Sequence, residues 1–216
     1  DPVALLTAGA VADLDLASTP GLSATTFGAG TITVTLSDGV AGDVLTVGTL
    51  AGIASTSGGT GSTPLVITLA NTATLSQVDA TLAAARYRHT SDNPTSFGTD
   101  TTRSYTVALS DGNNVQTGGN AGGPSALQVS VNGTINLVAT NDPPVATDNT
   151  NSVTENSATP VTGNVRTDGT ADSDPDNVIG NLSLSGIRIG TELAGGAMTG
   201  ITAGTTSTTS GTAVTG

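Results

Sequence analysis

Apolar and polar residues alternate with a period of two through Thr31–Leu36 (TITVTL), where Ile32, Val34 and Leu36 share one face and threonines the other. Successive side chains of a strand point to opposite faces, so this spacing predicts a half-buried strand. The same alternation runs through 43–47 (DVLTV), 65–69 (LVITL), 104–109 (SYTVAL), 127–131 (LQVSV) and 135–139 (INLVA). Turn-forming segments rich in Gly, Ser and Asn separate these runs: SDG at 37–39, TSGGTG at 56–61, SDGNN at 110–114 and TGGNAGG at 117–123. Several short strands joined this way predict a β-sandwich or barrel. The period changes only at 74–85, where Leu75, Val78 and Leu82 recur at helical spacing behind Thr74 and Gln77, placed as a capping box. One short helix is predicted there, crossing the sandwich and leading into a further strand at 86–89.

A boundary falls in 139–145 (ATNDPPV), because two prolines end the preceding strand and hold an extended path. The predicted domains are 1–140 and 141–216. The second has fainter strands at 151–154, 160–165 and 182–189, then a Gly/Thr/Ser-rich end. With roughly 70 residues after the linker, against ~100 for a complete sandwich, it is expected to be incomplete.

Composition sharpens the picture. The 216 residues carry 17 acids against 5 bases, a net charge of −12. All five bases are Arg, and all the acids but Glu155 and Glu192 are Asp. Asp and Asn suit turns and hard-cation sites, whereas solvated helices use Glu and Lys. Without clustered basic residues, neither nucleic acid nor an anionic membrane surface is an expected partner. Four aromatics, Phe27, Phe97, Tyr87 and Tyr105, leave the core to small aliphatic and β-branched side chains. Without cysteine there are no disulfides. No apolar run approaches the ~20 residues of a membrane span, and Asp1 opens no signal peptide, so a soluble mature segment or an excised piece of a longer chain, without membrane insertion, is expected.

TNDPPV at 140–145, then VTEN at 153–156 and ADSDPD at 171–176, resemble the junction of cadherin-like repeats, in the version found in large bacterial adhesins of the VCBS and RTX type. The run 75–112 resembles the helix-then-strand ending of bacterial tandem repeats related to proteoglycan-type cadherin-like domains. The resemblance covers most of the chain. It implies an all-β fold of tandem Ig-like, cadherin-like sandwiches and a location that is extracellular, on the bacterial surface or secreted. It also implies Ca2+ held at domain junctions. Calcium takes 6–8 oxygen ligands, and residues i and i+2 of an extended segment point the same way. Asp172 and Asp174 can therefore offer two carboxylates to one ion, with Asn141 and Asp142 in the linker and Glu155 supplying oxygens from the other side. By resemblance, Asn141 and Asp142 take linker-ligand positions, Glu155 the strand glutamate and Asp172 with Asp174 the D-x-D pair. Asp100 falls where the family places an acidic ligand. Ala139 stands where vertebrate cadherins have a further Asp and the linker is one residue shorter, which implies fewer ions; Asp176 is available to substitute. Asp13 and Asp15 form a second D-x-D pair and Asp111 matches an acidic position near the domain end. An upstream domain or neighbouring subunit is expected to complete that site.

Other features have plainer readings. Asp38 and Asp43 flank a Gly-containing hairpin and are expected to serve turn chemistry. His89, the only histidine, is expected to be a surface strand residue. GGTG at 58–61 lacks the following helix and Lys of a phosphate cradle. One lone histidine leaves no base for an abundant Ser/Thr nucleophile, so an enzyme is not expected. The leading expectation is a structural repeat in an adhesin stalk or fibre, with neighbouring repeats or identical subunits as partners. The alternatives are a filament or surface-layer subunit completed by a neighbour's strand, and a carbohydrate-binding module for surface glycans. A dearth of aromatics for a sugar platform weighs against the last.

Overall fold

The computed structural model describes residues 2–6, 27, 29–110, 128–159, 161–187 and 199–200. It divides into two units, Asp1–Ala139 and Thr140–Gly216.

Alternation in the first unit becomes two antiparallel sheets. The larger has the order β4-β5-β2-β7-β8, from β2 (Thr31–Leu36), β4 (Ile53–Ser57), β5 (Leu65–Leu69), β7 (Thr102–Ser110) and β8 (Gln128–Asn136). The smaller runs β1-β6-β3, from β1 (Val3–Ala4), β3 (Asp43–Thr46) and β6 (Arg86–His89). One face of β2 and one face of β5 supply much of the core. Ile32, Val34 and Leu36 of β2 and Leu65, Ile67 and Leu69 of β5 are buried in strict alternation. They join Val107, Leu109 and Ile135 from the same sheet and Leu45 and Tyr87 from the other in one cluster. The all-β character predicted from the alternation is present, with one α-helix among the described residues.

That helix, α1 (Leu75–Ala84), starts as the capping box requires. Gln77 N–H donates to Thr74 Oγ1 and Thr74 N–H to Gln77 Oε1, at 3.4 and 3.0 Å, satisfying two donors that have no intrahelical partner. Val78 is buried, and Leu75 and Leu82 pack against the core.

Two strand assignments differ from expectation. Ile53–Ser57 forms β4 although 56–61 reads as a turn; its IASTS sequence is mostly exposed at the sheet edge, so no apolar alternation marks it. The two strands expected at 127–131 and 135–139 are replaced by the single strand Gln128–Asn136, because Gly133 does not interrupt the ladder; 137–139 pair in no strand, and 127 lies outside the described residues. Gly133 pairs with Tyr105, whose ring lies across it: a Cβ on Gly133 would stand 2.3 Å from Tyr105 Cζ. The Tyr105 hydroxyl donates to Leu5 O at 2.5 Å.

The second unit is built differently. Its described residues form an antiparallel bridge, Val145↔Ser173, a 3₁₀ turn at Ile179–Asn181 and the short pair β9 (Gly186–Ile187) and β10 (Thr199–Gly200). No strand forms at 151–154 or 161–165, and within 182–187 only Gly186–Ile187 pairs; positions 160, 188 and 189 lie outside the described residues. Asx side chains take the backbone partners that a ladder would use. Asn149 Nδ2 donates to Val165 O, Asn164 N–H to Asp168 Oδ2 and Arg166 N–H to Asn164 Oδ1, the local competition that makes Asn and Asp poor strand formers. Val145, Val153, Val161, Val165, Val178 and Leu184 are exposed.

Candidate functional site

Two polar constellations stand out. In the first unit, Arg103 projects from β7 into the interior and is fully buried, as is Asp43 at the start of β3. The Arg103 Nε–H donates to Asp43 Oδ2 at 2.8 Å. The Tyr87 hydroxyl, from β6, donates to Asp43 Oδ1 at 2.6 Å, and Val40 N–H donates to Oδ2 at 2.8 Å. On its outer side the guanidinium bonds through Nη1 to Asp100 Oδ2 at 2.6 Å and to Thr102 O. Arg103 Nη2 is buried without a partner among the described residues. The chain thus ties its two sheets together with an ion pair.

Electrostatics follow from that geometry. Burial acts to raise the Asp43 carboxyl, but hydrogen bonds from Tyr87, Val40 and Arg103, with the guanidinium charge, outweigh it and leave the group below its ordinary value. Burial and the Asp43 carboxylate push the Tyr87 phenol far up. Burial opposes the Arg103 charge, and the two carboxylates more than restore it. All three groups hold one charge state across the neutral range.

In the second unit the linker, with its one acid Asp142, meets the acidic segment 172–176. The Val145↔Ser173 bridge closes with hydrogen bonds of 2.7 and 3.0 Å. Thr147 N–H donates to Asp172 Oδ1 at 2.8 Å, and Asp142 N–H donates to Asp176 Oδ2. Asp174 Oδ1 accepts from Asp176 N–H, Asn177 N–H and Asn177 Nδ2, an Asx turn that curls the segment around its own carboxylate. Asp176 Oδ1 is buried without a partner among the described residues. The guanidinium of Arg166 is directed elsewhere, donating to Ile179 O and Leu182 O.

Of the residues singled out by sequence, Asp142, Asp172 and Asp174 thus lie on neighbouring paths, with Asn141 Nδ2 bonded to Asp142 O. Glu155 is exposed in a turn that Asn156 completes with φ of 62°. Asp100 is an ion-pair partner of Arg103. Asp13, Asp15 and Asp111 lie outside the described residues. Among the described residues no three His, Asp or Glu side chains converge as a ready-made cation set. The donor chemistry in the second unit, hard carboxylate oxygens with one of them buried and unpartnered, nevertheless suits a divalent cation.

The interior ion pair escapes sequence reasoning. Asp43 reads as a turn residue, and its Oδ2 does accept from Val40 in that role, but the same oxygen also accepts from Arg103, 60 positions away, and Oδ1 accepts from Tyr87. The available signal is Arg103 itself, which shares the inward parity of Tyr105, Val107 and Leu109. His89 is not the surface residue expected: its side chain is 8% exposed and its Nε2 lies 3.8 Å from Asp43 Oδ1. Asp38 accepts from Ser104 N–H through both oxygens, at 2.9 and 3.1 Å, so it supports the start of β7. No helix among the described residues is long and apolar enough to cross a membrane. Comparison with protein-family models, curated proteins and solved structures finds no match.

Proposed function

We propose that this chain is a structural, non-catalytic segment of a bacterial extracellular adhesin or fibre, a tandem cadherin-like β-sandwich array whose second unit is ordered by calcium. The observation that carries it is the Val145↔Ser173 bridge, which lays the linker along the acidic segment 172–176, with Asp142 N–H on Asp176 and Thr147 N–H on Asp172. Like charges gathered on adjacent segments repel, and among the described residues backbone N–H groups and the Asn177 side-chain amide offset that. A divalent ion accepted by Asp172, Asp174, Asp176 and the linker oxygens of Asn141 and Asp142 removes the repulsion. It also fixes the path by which the chain enters the second unit, where exposed valines supply little burial to do so. An ion bound only to the folded form stabilises by about 2.7 kcal/mol at ~100 times its dissociation constant.

The test is calorimetric titration of the intact chain with Ca2+, alongside amide exchange at 142–147 and 172–177. Saturable heat with slowed exchange in those two segments is expected, both abolished by Asp172→Asn with Asp176→Asn. Absence of heat, with exchange unchanged in millimolar calcium, overturns the proposal.

A further inference from the structure

The sheet edges of the first unit are not closed alike. At β4 the pairing carries a register irregularity between Ile53 and Ser55, the kind of bulge that discourages a further strand. The edge strand β1 is two residues long. On its outer side β3 is covered: Leu45 N–H donates to Gly59 O at 2.8 Å and Gly61 N–H to Asp43 O at 2.9 Å. None of these devices protects β8. It pairs with β7 over nine consecutive positions without irregularity, and no strand lies beyond it among the described residues. From Gln128 to Asn136 it holds no charged residue and no proline, in a chain of net charge −12.

β8 also leaves apolar surface open. Val129 and Val131 stand opposite Leu109 and Val107 on the core-facing side. Leu109 and Val107 are 7% and 4% exposed, whereas Val129 and Val131 are 58% and 53% exposed. Among the described residues three strands lie across from five, and none of them covers the end of the larger sheet.

We propose that β8 is a self-association surface on which a second copy of this chain adds its own β8, antiparallel, about a two-fold axis through Ser130. That register is complementary on both faces. Val129 of one copy meets Val131 of the other twice over on the core side, and on the outer side Gln128 meets Asn132 while Ser130 meets Ser130. Apolar groups face apolar groups and amides face amides, and the backbone edge of Gln128–Asn132, which no described strand pairs, gains a partner in each copy. Two chains of like charge can approach closely only along a surface that carries none, which β8 provides. Added salt screens the remaining repulsion and strengthens the pair.

The test measures mass against concentration by sedimentation of the full 216-residue chain, at low and high salt, for the native protein and Val131→Lys. A monomer–dimer equilibrium favoured by salt is expected. Val131→Lys places a charge on the paired face and abolishes the dimer while leaving the folded spectrum unchanged, since the site is exposed. The protein has no cysteine, so Ser130→Cys adds a readout that does not depend on that variant folding. Directly opposed antiparallel residues have Cα atoms ~4.5–5.5 Å apart, within disulfide range. Ser130→Cys is expected to cross-link to dimer at least roughly tenfold faster than Asn136→Cys, as effective concentration in a formed pair dictates; in this register the two Asn136 positions lie roughly 40 Å apart. A chain monomeric to its solubility limit overturns the proposal. So does a dimer that survives Val131→Lys, or one in which the two cysteine variants cross-link equally.

Discussion

Arg103 carries a full charge into the space between two sheets, and its tolerance there depends on Asp43, Asp100 and the Thr102 carbonyl acting together. Removing one partner leaves an uncompensated buried charge, so Arg103→Met alone and Asp43→Asn alone are each expected to cost ~3–5 kcal/mol in denaturant melts. The double variant is expected to cost well below the sum, since no lone charge remains buried. Asp100, whose side chain is 37% exposed, is screened by solvent; Asp100→Asn is expected to cost no more than ~1 kcal/mol. The same pair sets the acid limit of the first unit. Because the folded Asp43 carboxyl lies below its ordinary value, its stabilisation is complete above the unfolded carboxylate range. It is lost as pH falls below ~4 toward the depressed folded value. Tyr87 acts in the opposite direction: its raised phenol favours the fold up to the ordinary value near ~10, and this contribution falls away as pH rises further. Thermal melts against pH are expected to show a flat neutral region with an acid limb that is shallower in the Asp43→Asn, Arg103→Met double variant.

At the scale of elements, the segments that sequence describes best are those whose local chemistry and burial agree. β2 and β5 alternate without exception, and α1 has both halves of its capping box. Thr74→Ala is expected to destabilise by ~1 kcal/mol in a chemical melt, the usual effect of losing a helix cap. β8 shows where pattern alone fails. The alternation gives two separate runs there, yet they join through Gly133, which the Tyr105 ring covers, with the tyrosine hydroxyl anchored on Leu5 O. Gly133→Ala forces that ring aside and is expected to cost ~1–3 kcal/mol, with a change in near-ultraviolet dichroism from one of only two tyrosines. β4 fails for the opposite reason: an edge strand of Ser, Thr and Ala buries too little to leave a hydrophobic signature.

At the scale of the molecule the two units rest on different physics. In the first, a shared apolar cluster joins both sheets and the helix. In the second, the described valines are exposed, and order comes from Asx turns, the Val145↔Ser173 bridge and the Arg166 clasp on the 3₁₀ turn. A fragment spanning residues 1–139 is therefore expected to keep a cooperative melt within a few degrees of that transition in the whole chain, followed by calorimetry and indifferent to calcium. Any calcium-dependent transition is expected only in the full chain.

The fold class of the first unit was legible in its sequence because burial on one face of a strand or helix imposes a period that survives in the order of residues. The acidic character of Asp142 and of 172–176 was legible too, since it is a matter of composition. The Asp43–Arg103 pair, the half-buried His89 and the open edge at β8 were decided by tertiary structure. Each depends on which strands become neighbours, and a side chain's partner 60 positions away leaves no periodic trace along the chain. The strands expected at 151–154 and 160–165 gave way, over the described residues, for the same reason. A weak apolar alternation forms a ladder only when a facing layer buries it, and here nearby Asn and Asp side chains satisfied the backbone first.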